Sequence, residues 1–460
     1  MMASVQPDLG REPVGKLLMK LSVPTILAQL VNMLYNMVDR IYIGHIPDIG
    51  TAALTGVGVC MPVIMLVSAF AALAAMGGAP RTSIALGRGD KDTAERTVGA
   101  CTALLLMISL LLTAALLIWQ EPLLRLFGAS DETLPFAMRY LSVYLIGTVF
   151  VQGTLGLNAF ITAQGFSKIG MMTVLIGAVL NTILDPIFIF VFGMDVQGAA
   201  LATIISQAVS CIWVVRFLMG EKSAVRLRVK NIRLNGKLLL PCVALGLSPF
   251  IMQSTESLIA VCFNSSLLKY GGDMAVGTMT ILSSIMQLAM LPLQGLSQGA
   301  QPIISYNYGA GKPERMKKAF GLLLRCSLTY AGALWLSVMC FPQVFVGLFT
   351  PDPALAAYAQ PCVRIYMGAS FLFGVQLACQ QTFVALGNAK SSLFLACLRK
   401  LILLIPLIYI MPAVLPGDRV HAVFSAEPAA DTIAVITTAV LFTVQFRKLL
   451  RRMQQPAQTV

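Results

Sequence analysis

Residues Leu21 to Gly44 read LSVPTILAQLVNMLYNMVDRIYIG. As a helix this run is about 36 Å long, enough to cross a hydrocarbon core about 30 Å thick. It carries a carboxylate, Asp39, near its far end, with Arg40 beside it. Ionisable groups inside a spanning helix are costly and mark ion or substrate paths more often than packing. The stretch therefore predicts both a membrane fold and a site within it.

The rest of the chain agrees with the first part of that reading. Of 460 residues, 57% are hydrophobic and 12% charged, with a mean hydropathy of +0.80, against about 25% charged in soluble domains. Apolar runs of helical length recur between short polar turns, and twelve spanning helices are expected: 17–44, 51–80, 94–118, 135–163, 168–192, 196–219, 238–268, 275–305, 317–341, 357–385, 391–415 and 430–447. The polar opening stretch with Asp8, Arg11, Glu12 and Lys16 is not followed by a small-residue cleavage site, so the first helix reads as an uncleaved anchor.

The net charge of +13 is a topology signal and not a nucleic-acid footprint. Of 33 lysines and arginines, 27 fall on one set of alternating loops and six on the other. Basic loops stay cytoplasmic, which places both termini inside a plasma (bacterial inner) membrane. Most of the ten cysteines, including Cys60, Cys101, Cys211, Cys242, Cys262, Cys326 and Cys397, lie in apolar segments without metal-ligand spacing, so they read as packing residues.

The chain repeats. Gly87 in ALGRG corresponds to Gly309 in NYGAG, Phe127 to Phe349, and Gly165 to Gly387, all at an offset of 222; Pro24 and Pro249 are 225 apart. Six helices per half is an even number, so the repeat is parallel. The expected fold class is an all-α polytopic membrane protein of twelve transmembrane helices in two six-helix lobes related by a pseudo-two-fold axis along the membrane normal. The expected domains are 1–220, a cytoplasmic basic linker 221–237, and 238–460. Such repeats frame a central site served by rocking one half against the other.

The candidate site lies in the first half. Asn181 and Asp185 in NTILDPIF are four apart and share a helix face. Counted from the basic ends, Asp39 and Asp185 sit roughly 28 Å and 25 Å along their helices, and Thr203 comes about 12 Å down the next one, at similar depth. Two carboxylates, an amide and a hydroxyl supply oxygen ligands for a hard cation such as Na⁺, or a proton-binding pair. By spacing alone, a surface position for both aspartates fits equally well. Asymmetry favours the site: the repeat places Leu403 and Leu407 opposite Asn181 and Asp185, and Asn264 opposite Asp39. On the eighth helix Gln287, Gln294, Gln298 and Gln301 form a polar stripe suited either to a cavity or to interhelical hydrogen bonds. Arg399 and Lys400 sit too far beyond Lys390 for an ordinary turn, so the eleventh helix is expected to start late or to line a water-filled inner cavity.

NMVDRIYIGH, NTILDPIF, GAALAT, GAPRTSIALGRGDKDTAER and its echo GAQPIISYNYGAGKPERMKKA together resemble the MATE (multidrug and toxic compound extrusion) family, nearest to its DinF/MepA-like branch. The resemblance covers essentially the whole chain. It implies efflux of small cationic amphipathic compounds driven by H⁺ or Na⁺, with no other cofactor. It also implies a cation or proton site at Asp39, Asn181, Asp185, Thr203 and the backbone of Ala199, and a bend of the first helix at Pro24. NorM-type members carry acidic residues on the seventh and tenth helices; Glu256 fits the seventh, but Val375 and Gln376 stand on the tenth. The cation site is therefore expected in the first half alone, with Glu256 and Gln376 at a substrate cavity, although a partly hydrated polar role near the outer end fits Glu256 equally well. The expected partners are the substrates and membrane lipids, for a monomer without nucleic acid. A flippase for lipid-linked saccharides shares the architecture and would need a strongly cationic cavity. A membrane-embedded enzyme would need a catalytic constellation that His45 and His421 alone do not provide.

Overall fold

The computed structural model describes residues 7–454, and among these the regular structure is helical. α1 (Val14–Gly44), α2 (Gly50–Gly87) and α3 (Lys91–Leu126) are long and continuous. α4 is two segments, Leu134–Ile146 and Thr148–Ala163, bent by 58° at Gly147. α5 (Ser167–Pro186) runs into a π-helical turn, Ile187–Val191, and α6 (Asp195–Met219) follows. A 74-residue helical run, Gly236–Gly309, would be about 110 Å long and cannot cross a bilayer once. It reverses at Gly272, whose φ of 62° and ψ of −157° suit only a residue without a Cβ; this turn separates α7 (236–271) from α8 (273–309). α9 is Pro313–Cys340, and α10 is Pro353–Tyr366 bent by 46° against Ser370–Ala385. α11 spans Ala389–Val414 through a central π turn, Leu398–Leu404, and α12 is Ala426–Gln454. Nine apolar spans, two bent pairs and the turn at Gly272 give the twelve crossings.

Two expectations about the last helices need correction. α11 starts at Ala389, not late, and Arg399 and Lys400 are not in a turn: their side chains are largely buried in ion pairs with acidic residues. α12 starts at Ala426, four residues before the expected 430, because Glu427 and Asp431 are the partners of Arg399 and lie inside the protein. The basic stretch after α6 is not a free linker. Arg228 Nε meets Glu95 at 2.6 Å, and Ser223 Oγ and Val225 N donate to Gln164 Oε1.

The halves pack together only toward the end that carries the basic turns. There, two apolar cores mix the halves: Leu239 and Cys242 of α7 join Cys101 and Phe160, while Leu17 and Leu21 of α1 join Leu296 and Ile303. At the opposite end each core belongs to one half, Val57 to Tyr144 in one and Phe263 to Phe424 in the other. The cleft between the halves therefore opens away from the basic turns.

Glycine makes the closed end possible. A Cβ on Gly87 would strike the carbonyl of Tyr306, and a Cβ on Gly309 that of Ile84. These residues are repeat mates, so the two-fold passes through one reciprocal backbone contact. Gly77 against Cys242 and Gly246 against Leu73 bring α2 onto α7, and the repeat mate of Gly77, Gly299, together with Gly295, brings α8 onto Ser22 and Ile26 of α1. Across this seam Thr25 Oγ1 donates to Gly295 O at 2.6 Å. Removing a backbone obstacle is harder than shifting a side chain, so Gly309→Val is expected to cost more than the ~1–3 kcal/mol of ordinary overpacking. It should also abolish closure of this end; unchanged thermal stability and unchanged transport in Gly309→Val would refute the contact.

Candidate functional site

The first-half site is assembled by α1, α5 and α6. Asp39 is 7% exposed and Asp185 fully buried. Asn181 Nδ2 donates to Asp185 Oδ1 at 2.9 Å, as the i, i+4 spacing requires. The carboxyls of Asp39 and Asp185 face each other closely enough to share a hydrogen. Pro186 ends the α-helical register just after Asp185: it lacks an N–H, and the next turn is π, with Phe192 N donating to Ile187 O at 2.9 Å.

No lysine or arginine forms an ion pair with either aspartate among the described residues, although Arg40 lies within electrostatic range of Asp39. Asp39 Oδ1, Asp185 Oδ2 and Asn181 Oδ1 are buried without a hydrogen-bond partner. Three orphaned oxygens around two facing carboxyls are an acceptor-only environment. Such a group is stable only with a proton or a cation to accept. Two carboxylates and an amide suit a proton or an alkali cation; softer transition metals prefer imidazole or thiolate.

The other expected ligands are placed differently. Thr203 Oγ1 donates to Ala199 O at 3.0 Å, so hydroxyl and carbonyl are spent on each other. Thr203 shares with Asn181 a cavity of about 40 Å³, room for a water or two. Its wall is mostly apolar but carries the polar side chains of Asn32, Tyr35, Ser206 and Gln207. Sequence reasoning missed these four; Ser206 and Gln207 lie one turn beyond Thr203 on α6, a spacing that points to them. Pro24 sits buried inside an unbroken α1, which here bridges it without a kink large enough to divide the helix.

In the second half Glu256 is half-exposed, and Lys400 Nζ meets its Oε1 at 2.8 Å. Gln376 is buried; its Nε2 donates to Gln380 Oε1, and Gln380 Nε2 reaches Met252 Sδ, one turn before Glu256. Gln287 and Gln294 are exposed and Gln298 half-buried, and none makes a side-chain hydrogen bond among the described residues. Interhelical bonding is therefore not their role in this state. Glu427 and Asp431, which sequence reasoning passed over, join Arg399 in a buried cluster. Their signal was the four-residue spacing in SAEPAADT, on a helix assumed to begin later.

Comparison with known proteins supports the same architecture. Multidrug export protein MepA of Staphylococcus aureus (strain NCTC 8325 / PS 47) is 27% identical over 409 residues, covering 88% of each chain. MepA of Staphylococcus saprophyticus is 24% identical over 401 residues, covering 87% of this chain and 88% of that one. Among solved structures, an outward-facing multidrug resistance MATE family transporter of the MOP superfamily superposes with a TM-score of 0.88 at 23% identity, over 98% of this chain and all of that one. A MATE in a bent conformation gives 0.90 at 23% identity, over 97% and 98%. The MatE family model matches twice, over residues 24–187 and 249–410. Each match opens on one of the two repeat prolines, Pro24 and Pro249, and together they take in most of the chain: it belongs to the MatE family of membrane transporters.

Proposed function

We propose that the protein is a cation-coupled antiporter, driven by H⁺ or Na⁺, that exports small cationic amphipathic compounds by alternating access. The observation that carries this reading is the facing pair Asp39 and Asp185, buried with orphaned oxygens and with no ion-paired lysine or arginine among the described residues. A site without a fixed ion pair suits an exchangeable cation. The names of the similar proteins, multidrug export proteins and multidrug resistance transporters, point the same way.

In this reading the state described here is open away from the basic turns, which the loop charges place at the cytoplasm. A proton or Na⁺ arriving from outside neutralises the pair. Asn181 holds Asp185 in position and also borders the small cavity at Thr203. With the pair neutral, the charge penalty on burying it falls and substrate leaves; return to the inward-open state discharges the ion. Residues 1–220 and 238–460 act as the two rocking lobes of a monomer. A flippase for polyanionic lipid-linked saccharides is less well supported, since Arg399 and Lys400 are already paired with carboxylates.

Three outcomes test this. Asp39→Asn and Asp185→Asn should cut gradient-driven efflux of a fluorescent cation at least about tenfold, which needs only ~1.4 kcal/mol, while equilibrium binding of the dye persists. Normal efflux in both well-expressed variants would end the proposal. Rocking is tested at Cys101 of α3 and Cys242 of α7, buried thiols that lie side by side across the halves at the closed end. Oxidative cross-linking of this native pair should stop transport, and dithiothreitol should restore it; transport at full rate through a complete cross-link would exclude separation of this seam. For orientation, a cysteine at Lys230 should react with an impermeant maleimide only in inside-out vesicles, and one at Asp131 only in right-side-out vesicles. The opposite pattern would invert the topology.

A further inference from the structure

The second half contains a charge cluster that the coupling pair does not involve. The π turn of α11 presents Arg399 and Lys400 to three carboxylates on two other helices. Arg399 Nε meets Asp431 Oδ1 at 2.6 Å and its Nη2 meets Glu427 Oε1 at 3.4 Å, while the guanidinium lies over the Phe373 ring at 5.3 Å from its centroid. Lys400 Nζ pairs with Glu256 Oε1 at 2.8 Å. Side-chain exposure is 14% for Arg399, 8% for Lys400, 5% for Glu427 and 3% for Asp431, against 52% for Glu256.

Two cations face three carboxylates, which leaves one negative charge without a fixed partner inside the membrane. Buried charge of this kind is stable only when neutralised. The least well held carboxylate is Glu427. Its contact with Arg399 is the longest of the three, and its Oε2 is buried without a partner. The groups that face it are Asp431 on its own helix, Arg399 and Lys400 on α11, Glu256 on α7 and the Tyr366 hydroxyl on α10. Tyr366 is neutral and brings no charge to the balance.

We propose that Glu427 carries an exchangeable proton, and that the cluster releases it when a cation meets Glu256 at the cleft. Lys400 lies within electrostatic range of both Glu256 and Glu427. A ligand cation on Glu256 frees the ammonium to compensate Glu427, so three positive charges then face three carboxylates. The carboxyl O–H of Glu427 breaks heterolytically, its electron pair stays on Glu427, and the proton passes to water in the cleft. One positive charge enters and one leaves, which makes the second half a proton-for-cation exchanger in its own right. The nature of the ligand rests on the drug-cation reading above; the proton does not.

Infrared spectroscopy of the purified protein in lipid nanodiscs tests the proton directly. The carbonyl band of a protonated carboxylic acid should be present in an Asp39→Asn/Asp185→Asn background and lost when Glu427→Gln is added. Adding tetraphenylphosphonium to that background in weak buffer should remove the band and acidify the medium, and Glu427→Gln should abolish both responses. A band that survives Glu427→Gln, or that persists with tetraphenylphosphonium bound, overturns the proposal. Lys400→Met gives a second reading: it removes a cation, so the band should grow, and an unchanged band counts equally against the assignment. Failure of tetraphenylphosphonium to bind any form would sink the drug-cation reading and the ligand-triggered release together, while the band alone still decides whether Glu427 holds a proton.

Discussion

A carboxylate taken into a bilayer has to be neutralised, and this protein does it in two ways. In the first half, Asp39 and Asp185 face each other with no lysine or arginine paired to either among the described residues. In the second, Arg399 and Lys400 are built into α11 beside Glu256, Glu427 and Asp431. Breaking one partner from a buried ion pair costs about 3–5 kcal/mol, so the short Arg399–Asp431 pair is tightly held, while Glu427 has only its longer contact to Arg399. The first half leaves Asp39 Oδ1 and Asp185 Oδ2 buried without a hydrogen-bond partner among the described residues. A duplicated fold has thus kept its scaffold and divided its electrostatics.

The scaffold makes that division usable. Backbones meet at Gly87 and Gly309, and again at Gly77 and Gly246, because no Cβ intervenes. These contacts hold the halves together at the basic end, while the cores at the other end stay separate. Around these glycine contacts apolar side chains of the two halves also interlock, Leu239 and Cys242 with Phe160, and Leu17 and Leu21 with Leu296. The proline and π turns of α5 and α11 sit beside the charged groups of each half, at the places where helical register changes.

Much of this was legible in the residues. Period and length marked the spans; the offset of 222 between Gly87 and Gly309 marked the repeat, and the structure shows those same residues touching. The pairing of Asn181 with Asp185 followed from their spacing on one helix. What could not be read was contact between distant segments. Arg399 and Lys400 looked like a turn because their partners lie 28, 32 and 144 residues away. Glu427 looked like loop for the same reason. Thr203 was placed at the right depth, but local geometry turned its hydroxyl onto Ala199 O: depth along a helix is set by counting residues, whereas the direction of a rotatable hydroxyl is set by whichever acceptor lies nearest. The reversal inside Gly236–Gly309 was visible in the Gly271-Gly272 pair, since only glycine tolerates that backbone.

The central claim is that an ion gradient and a cationic compound move in opposite directions through one molecule. The most direct measurement is tetraphenylphosphonium flux in proteoliposomes with Na⁺ and pH gradients imposed separately at zero membrane potential. The account predicts flux under at least one of these gradients, reversing sign when that gradient is reversed. Flux of equal size with no gradient, or none under either, would contradict it.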